Sequence, residues 1–246
     1  MKSILKSWFY VRFFMYVLGL YFVSLGVGFA IHSNLGLSPV ASFPYSISLV
    51  TKISPGTSVT IFMIFCVIFQ VCILGKQFKW VNITQVLVAT MFGFFVDLSY
   101  IFVLNFFVIP TYFGQLGMSF ISLMFLSSGL VLYLEASLIH LPPEGLIQSI
   151  VTKFPHNTFA KIKIITDCLF VFMAISVTLI ILGGIYSVRE GTIISALFTG
   201  AFMPYHRRFL TRFLRKIGYY KGISKISESD KKDVEYSEDG NDKENL

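Results

Sequence analysis

Charge is what this sequence has least of. Charged residues make up 13% of its 246 positions, and the stretch from Phe102 to Gly117 carries none. Soluble domains hold about a quarter of their residues charged, so a water-surrounded core is excluded. Cysteine is also scarce: Cys66, Cys72 and Cys168 lie in apolar runs without a CxxC pair, which excludes a disulfide framework and leaves packed thiols. The catalytic and cofactor signatures are missing as well. There is no GxSxG, no P-loop, no GxGxxG after a strand and no HExxH. His32, His140, His156 and His206 do not pair at metal-ligand spacing. The sequence therefore predicts no enzyme, no catalytic residue, no metal and no cofactor.

What is present is apolar. Hydrophobic residues account for 55% of the chain, with 27 phenylalanines and a mean hydropathy of +0.74, which places it in a lipid bilayer. A net charge of +7 would point to nucleic acid in a soluble protein. In a membrane protein it reflects Lys and Arg gathering on the cytoplasmic side, so nucleic acid is not expected. The first apolar run, Phe13 to Ile31, follows Lys2, Lys6 and Arg12 but leads into His32-Ser33-Asn34 rather than a small-residue cleavage site. It reads as a retained span.

The chain repeats itself. Shifted by 103 positions, Gly26 falls on Gly129, Leu35 on Leu138 and Pro39 on Pro142; after a short slip, Thr51-Lys52 falls on Thr152-Lys153 and Pro55 on Pro155. Each copy ends an apolar helix, breaks at proline, runs a short apolar segment and breaks again. Runs of about 20 apolar residues predict six spans, at 13–32, 58–75, 83–107, 118–139, 162–183 and 191–206. The segments 37–49 and 142–154 are too short to cross and read as re-entrant half-helices. Three spans per copy is an odd number, so the copies face opposite ways: an all-α polytopic protein of two inverted three-helix repeats, 13–110 and 111–206. Lys2, Lys6, Arg12, Lys76, Lys79, Lys153, Lys161 and Lys163 then fall inside with both termini, against only Lys52 and Arg189 outside. Residues 1–12 form a cytoplasmic N-terminus. In 207–223, Arg207, Arg208, Arg212, Arg215 and Lys216 alternate with Phe and Leu as in an amphipathic helix lying on anionic lipid. Residues 224–246 read as a disordered cytoplasmic tail.

Ionisable groups within spans carry the functional expectation. Asp97 lies deep in the third span, where it either packs the bundle through an interhelical hydrogen bond or serves a site. Glu135 lies near a span end, and Asp167 follows Lys163 by four residues, the spacing of an ion pair. The breaks offer unpaired backbone N–H groups to an anion. Ser38, Pro39 and Ser42 mark the first, and Pro142, Glu144 and Gly145 the second. These two stretches are expected to approach across the middle of the bilayer, forming with Asp97 a substrate site for a small molecule or ion. Gly19, Ser24, Gly26, Gly28, Gly183 and Gly184 read as close helix contacts.

Leu35-Gly36-Leu37-Ser38-Pro39 and Pro142-Pro143-Glu144-Gly145-Leu146 resemble the YczE/YitT-type bacterial integral membrane proteins. The resemblance runs from about residue 10 to residue 210 and takes in Gly56-Thr57, Asp97 and Asp167. The chain departs from it at Ala41, where those proteins often carry an acid, while Glu144 supplies the acid of the second copy. The resemblance implies a multi-pass protein of the bacterial plasma membrane and supplies no substrate. The sequence thus predicts a small secondary transporter or permease-like protein, with a non-transporting membrane factor that assists or regulates a partner as the alternative.

Overall fold

The computed structural model describes residues 2–78, 80–107 and 111–216, with no strand among them. Eight α-helices follow in order: α1 Lys2–Ser33, α2 Pro39–Thr51, α3 Pro55–Leu74, α4 Thr84–Phe106, α5 Tyr112–Ala136, α6 Pro142–Lys153, α7 Phe159–Leu182 and α8 Glu190–Lys216. Their starts follow local chemistry. α2, α3 and α6 each open with proline, where the missing N–H is an orphan in any case. Ser54, Thr111 and Thr158 cap α3, α5 and α7 through their side-chain oxygens.

At the centre lie α1 and α5, running antiparallel. A Cβ at Gly19 would lie 2.6 Å from Tyr133 N, and one at Gly26 would lie 2.9 Å from Leu126 N, so the backbones touch where the side chains are smallest. The Ser122 hydroxyl donates to Gly26 O at 2.7 Å across this seam. α4 flanks α1 in parallel through Tyr21–Phe95 and a Ser24–Ser99 hydrogen bond of 3.0 Å. α8 flanks α5 through Phe120–Phe202, Ser127–His206 and the Glu135–Arg207 ion pair. The short helices cross over, α2 packing mainly on α7 and α6 mainly on α3. α3 and α4 are closely packed, whereas α7 and α8 have no comparable interface among the described residues.

Among the described residues five helices are long and apolar enough to cross a membrane, within Phe9–Ser33, Pro55–Gln77, Trp80–Phe106, Tyr112–Ala136 and Phe159–Leu182. Their outward side chains, such as Phe65, Phe69, Leu169, Phe172 and Ile180, are large, apolar and exposed, the surface a bilayer covers. This is a multi-pass membrane protein. The segment expected as a sixth span, 191–206, differs: it lies in α8, which continues without a break through Pro204 into the basic stretch expected as a separate helix. Residues 217–223 of that stretch and the tail 224–246 lie outside the described residues. The fourth span also ends earlier than its apolar run. Ser137 turns left-handed (φ 48), and Arg12 of α1 donates to Ala136 O and Ser137 O, both at 3.1 Å, satisfying carbonyls that the helix leaves open.

Candidate functional site

The first break lies between α1 and α2. Gly36 has φ +99, and a Cβ there would lie 2.5 Å from Thr192 Oγ1, so the turn needs glycine for both conformation and space. The loop is bound to the start of α8: Gly191 N donates to Leu35 O at 2.7 Å, and Arg189 Nη1 to Asn34 O at 2.9 Å. Ser38 stands at the N-cap of α2, but its side chain makes no capping bond. Ser42 Oγ turns back to Ser38 O at 2.9 Å and Leu37 O at 3.3 Å. Behind this turn lies a cleft lined by Gly26 and Ala30 of α1, Ser38 and Ala41 at the start of α2, Ser119 and Ser122 of α5, and Ser195 of α8. It measures about 10 Å³, room for about one water.

The second break is filled instead of open. Tyr133 of α5 donates its hydroxyl to Glu144 Oε2 and accepts from Leu141 N at 2.9 Å. Tyr16 of α1 packs against Tyr133, with ring centroids 5.7 Å apart, and donates to Ile139 O at 3.0 Å. Gln70 of α3 and Gln85 of α4, both buried, close the other side. Gln70 Nε2 donates to Gln85 Oε1 at 2.9 Å and Pro142 O at 3.0 Å. Gly145 lies under these amides, and a Cβ there would come within 2.9 Å of Gln70 Oε1. Burial pushes the Glu144 carboxyl above the usual carboxylate range, against the downward pull of the Tyr133 hydrogen bond, His140 and Lys163.

Asp97 belongs to neither break. Its Oδ1 accepts from Gly56 N at 2.7 Å and its Oδ2 from Ser54 Oγ at 2.7 Å, so it caps the N-terminus of α3 from the neighbouring helix. A carboxylate there meets the positive end of the helix dipole and two donors. Asp167 pairs with Lys163 at 3.0 Å, and Glu135 with Arg207 at 3.6 Å. The residues expected to form one site therefore occupy three places. About 15 Å of α1, the ten residues between Tyr16 and Gly26 at 1.5 Å each, separates the level of the second break from that of the first.

Sequence reasoning passed over Tyr16, Tyr133, Gln70, Gln85 and Ser119. A signal for Gln70 was available, since it interrupts the otherwise apolar run 61–74. Among the described residues no group of three His, Cys, Asp or Glu could hold a metal.

A family model described as a family of unknown function, DUF6198, matches residues 10–208. No curated protein and no solved structure matches the chain significantly.

Proposed function

We propose that this chain, which belongs to the DUF6198 family, is a small secondary transporter or permease-like protein built from two inverted copies, with its substrate-handling groups at the helix breaks. The observation that carries this reading is the packing pattern. α1 lies on α4 as α5 lies on α8; α2 crosses to α7 as α3 is crossed by α6; and α1 meets α5 antiparallel. This pattern supports reading the 103-residue repeat of the sequence as two copies, and inverted repeats with broken helices are a recurring transporter architecture. The fold alone carries no function; the buried polar groups at the two breaks, Glu144 and Ser119 among them, add the chemistry that the packing pattern lacks.

In this reading the chain sits in the bacterial plasma membrane with both termini cytoplasmic, and has no catalytic role. The YczE/YitT-type resemblance and the distribution of Lys and Arg support that placement. Arg208 and Arg212 are exposed on α8 and available to anionic headgroups, while Arg207 faces Glu135. The side chains of Arg215 and Lys216, expected to share that role, lie outside the described residues.

The test is uptake and efflux by purified protein in liposomes against a panel of small solutes, with protein-free vesicles as the control. Movement of one solute class above that control is expected. A specific observation favours the alternative, a membrane factor that assists or regulates a partner: the outer cleft holds about one water. If no solute moves, the transport reading fails and the partner role takes its place.

A further inference from the structure

The two breaks are equivalent in sequence but differently filled. At a shift of 103 residues Ala30 corresponds to Tyr133, Ala41 to Glu144 and Ser119 to Tyr16. At the second break these three large residues close the space at the start of α6, and the Glu144 carboxyl sits in its first turn. At the first break their counterparts are two alanines and a serine, all lining the cleft at the start of α2. We infer that this cleft binds a small monovalent anion, no larger than a halide, in the place that the Glu144 carboxyl holds in the other copy.

The chemistry of the lining selects charge and size. α2 begins at the cleft, and its N-terminus brings positive partial charge there; Gly191 of α8 also lines the cleft, with its N–H taken by Leu35 O at 2.7 Å. Ser119 is 8% exposed, faces the cleft and has no hydrogen-bond partner among the described residues. The Ser119 hydroxyl opens onto the cleft, where a ligand or water can meet it. Ser38, also in the lining, leaves its hydroxyl free of any capping bond. The other two serines are occupied, Ser122 with Gly26 O and Ser195 with Thr192 O.

A cation finds little there. The carbonyls of Gly26, Leu37 and Ser38 already accept from hydroxyls, and no carboxylate lines the cleft. The nearest acid in sequence to the α8 lining, Glu190, is exposed and paired with Arg189 at 3.6 Å. A volume of about 10 Å³ excludes sulfate and phosphate. This inference deepens the transport reading by naming what the outer site takes, and its test measures binding without requiring transport.

The experiment is thermal unfolding of the purified full-length protein in detergent, titrated with sodium bromide or chloride against sodium gluconate at constant ionic strength. The expected result is a saturable rise in Tm with the small anions and none with gluconate. Ser119→Ala leaves no group unpaired, so it is expected to fold, and losing one charge-assisted hydrogen bond should weaken half-saturation about tenfold. Ala41→Glu should abolish the response by supplying the carboxyl internally. An equal response to gluconate, or an unchanged one in Ser119→Ala, overturns the site. Binding without solute movement in liposomes refutes the transport reading alone; movement without binding refutes the anion site alone.

Discussion

Asp97 accepts the backbone N–H of Gly56 at 2.7 Å, tying the start of α3 to α4 across a gap of 41 residues in sequence. Asp97 lies nine residues before the end of α4 at Phe106, so α3 begins about 14 Å short of that end at 1.5 Å per residue. A helix that starts partway along its neighbour leaves backbone donors that lipid cannot satisfy. One carboxylate meets two of the groups gathered there.

Replacing Asp97 by alanine removes both charge-assisted bonds and should destabilise the protein by about 1–3 kcal/mol. Asp97→Asn keeps an acceptor and should lose less. Glu135→Gln and Asp167→Asn, whose partners are the exposed Arg207 and the partly exposed Lys163, should lose about 1 kcal/mol at most. Unfolding in detergent followed by helix signal ranks the four. A silent Asp97→Ala would show that the cap contributes nothing.

Below this cap the two helices touch backbone to backbone. A Cβ on Gly93 would lie 1.9 Å from Thr60 Oγ1 and 2.6 Å from Gly56 O, so Gly93→Ala must push α3 away. A loss of about 1–3 kcal/mol is expected, the range for overpacking a filled interface. Gly117→Ala, where a Cβ meets nothing within 4 Å, is the matched control. Its helix gains propensity, so it should be neutral or slightly stabilised.

Much of the architecture is written locally, and much of the site is not. Five runs long enough to span announce themselves by length, and Pro39 and Pro142 announce the breaks because proline opens a helix more readily than it continues one. α8 was harder to read. Pro204 and the arginine pair at 207–208 look like the end of a span, yet the helix runs on to Lys216 because Arg207 meets Glu135 and His206 meets Ser127 across the α5 interface. Asp97 looked like a mid-span acid because its partners, Ser54 and Gly56, stand in the preceding loop and helix start. Tyr133 looked like one more aromatic in an apolar run. Only packing reveals that it joins Glu144, Leu141 and Tyr16.

Topology follows from the charge distribution. With native cysteines replaced, a single cysteine at Gln115 should react with an impermeant thiol reagent in intact cells, and one at Lys76 only after permeabilisation. The reverse pattern would invert the orientation and exchange the faces of the two breaks.

Glu144 should leave a signature in the pH dependence of stability. Its carboxyl is raised above the ordinary value of 4.5, chiefly by burial, so the folded protein holds the proton where the unfolded chain has lost it. Between the two values the unfolded state binds fewer protons, and stability therefore falls as pH rises above about 4.5, by at most about 1.4 kcal/mol per pH unit for one group, until the folded carboxyl ionises. The groups acting on it are Tyr133, His140 and Lys163, with Tyr16 packed on Tyr133 and Asp167 paired to Lys163. The wild-type curve sums every titrating group, so alone it does not isolate Glu144. Glu144→Gln does. The amide keeps an oxygen for the Tyr133 hydroxyl and carries no proton to lose, so the difference between the two curves reports this carboxyl. The expected outcome is a Tm that declines with rising pH in the wild type and declines less in Glu144→Gln, the variant being relatively more stable at the higher pH. Parallel curves would mean that Glu144 ionises alike in both states, and that the enclosure formed by Tyr16, Tyr133, Gln70 and Gln85 does not exclude water.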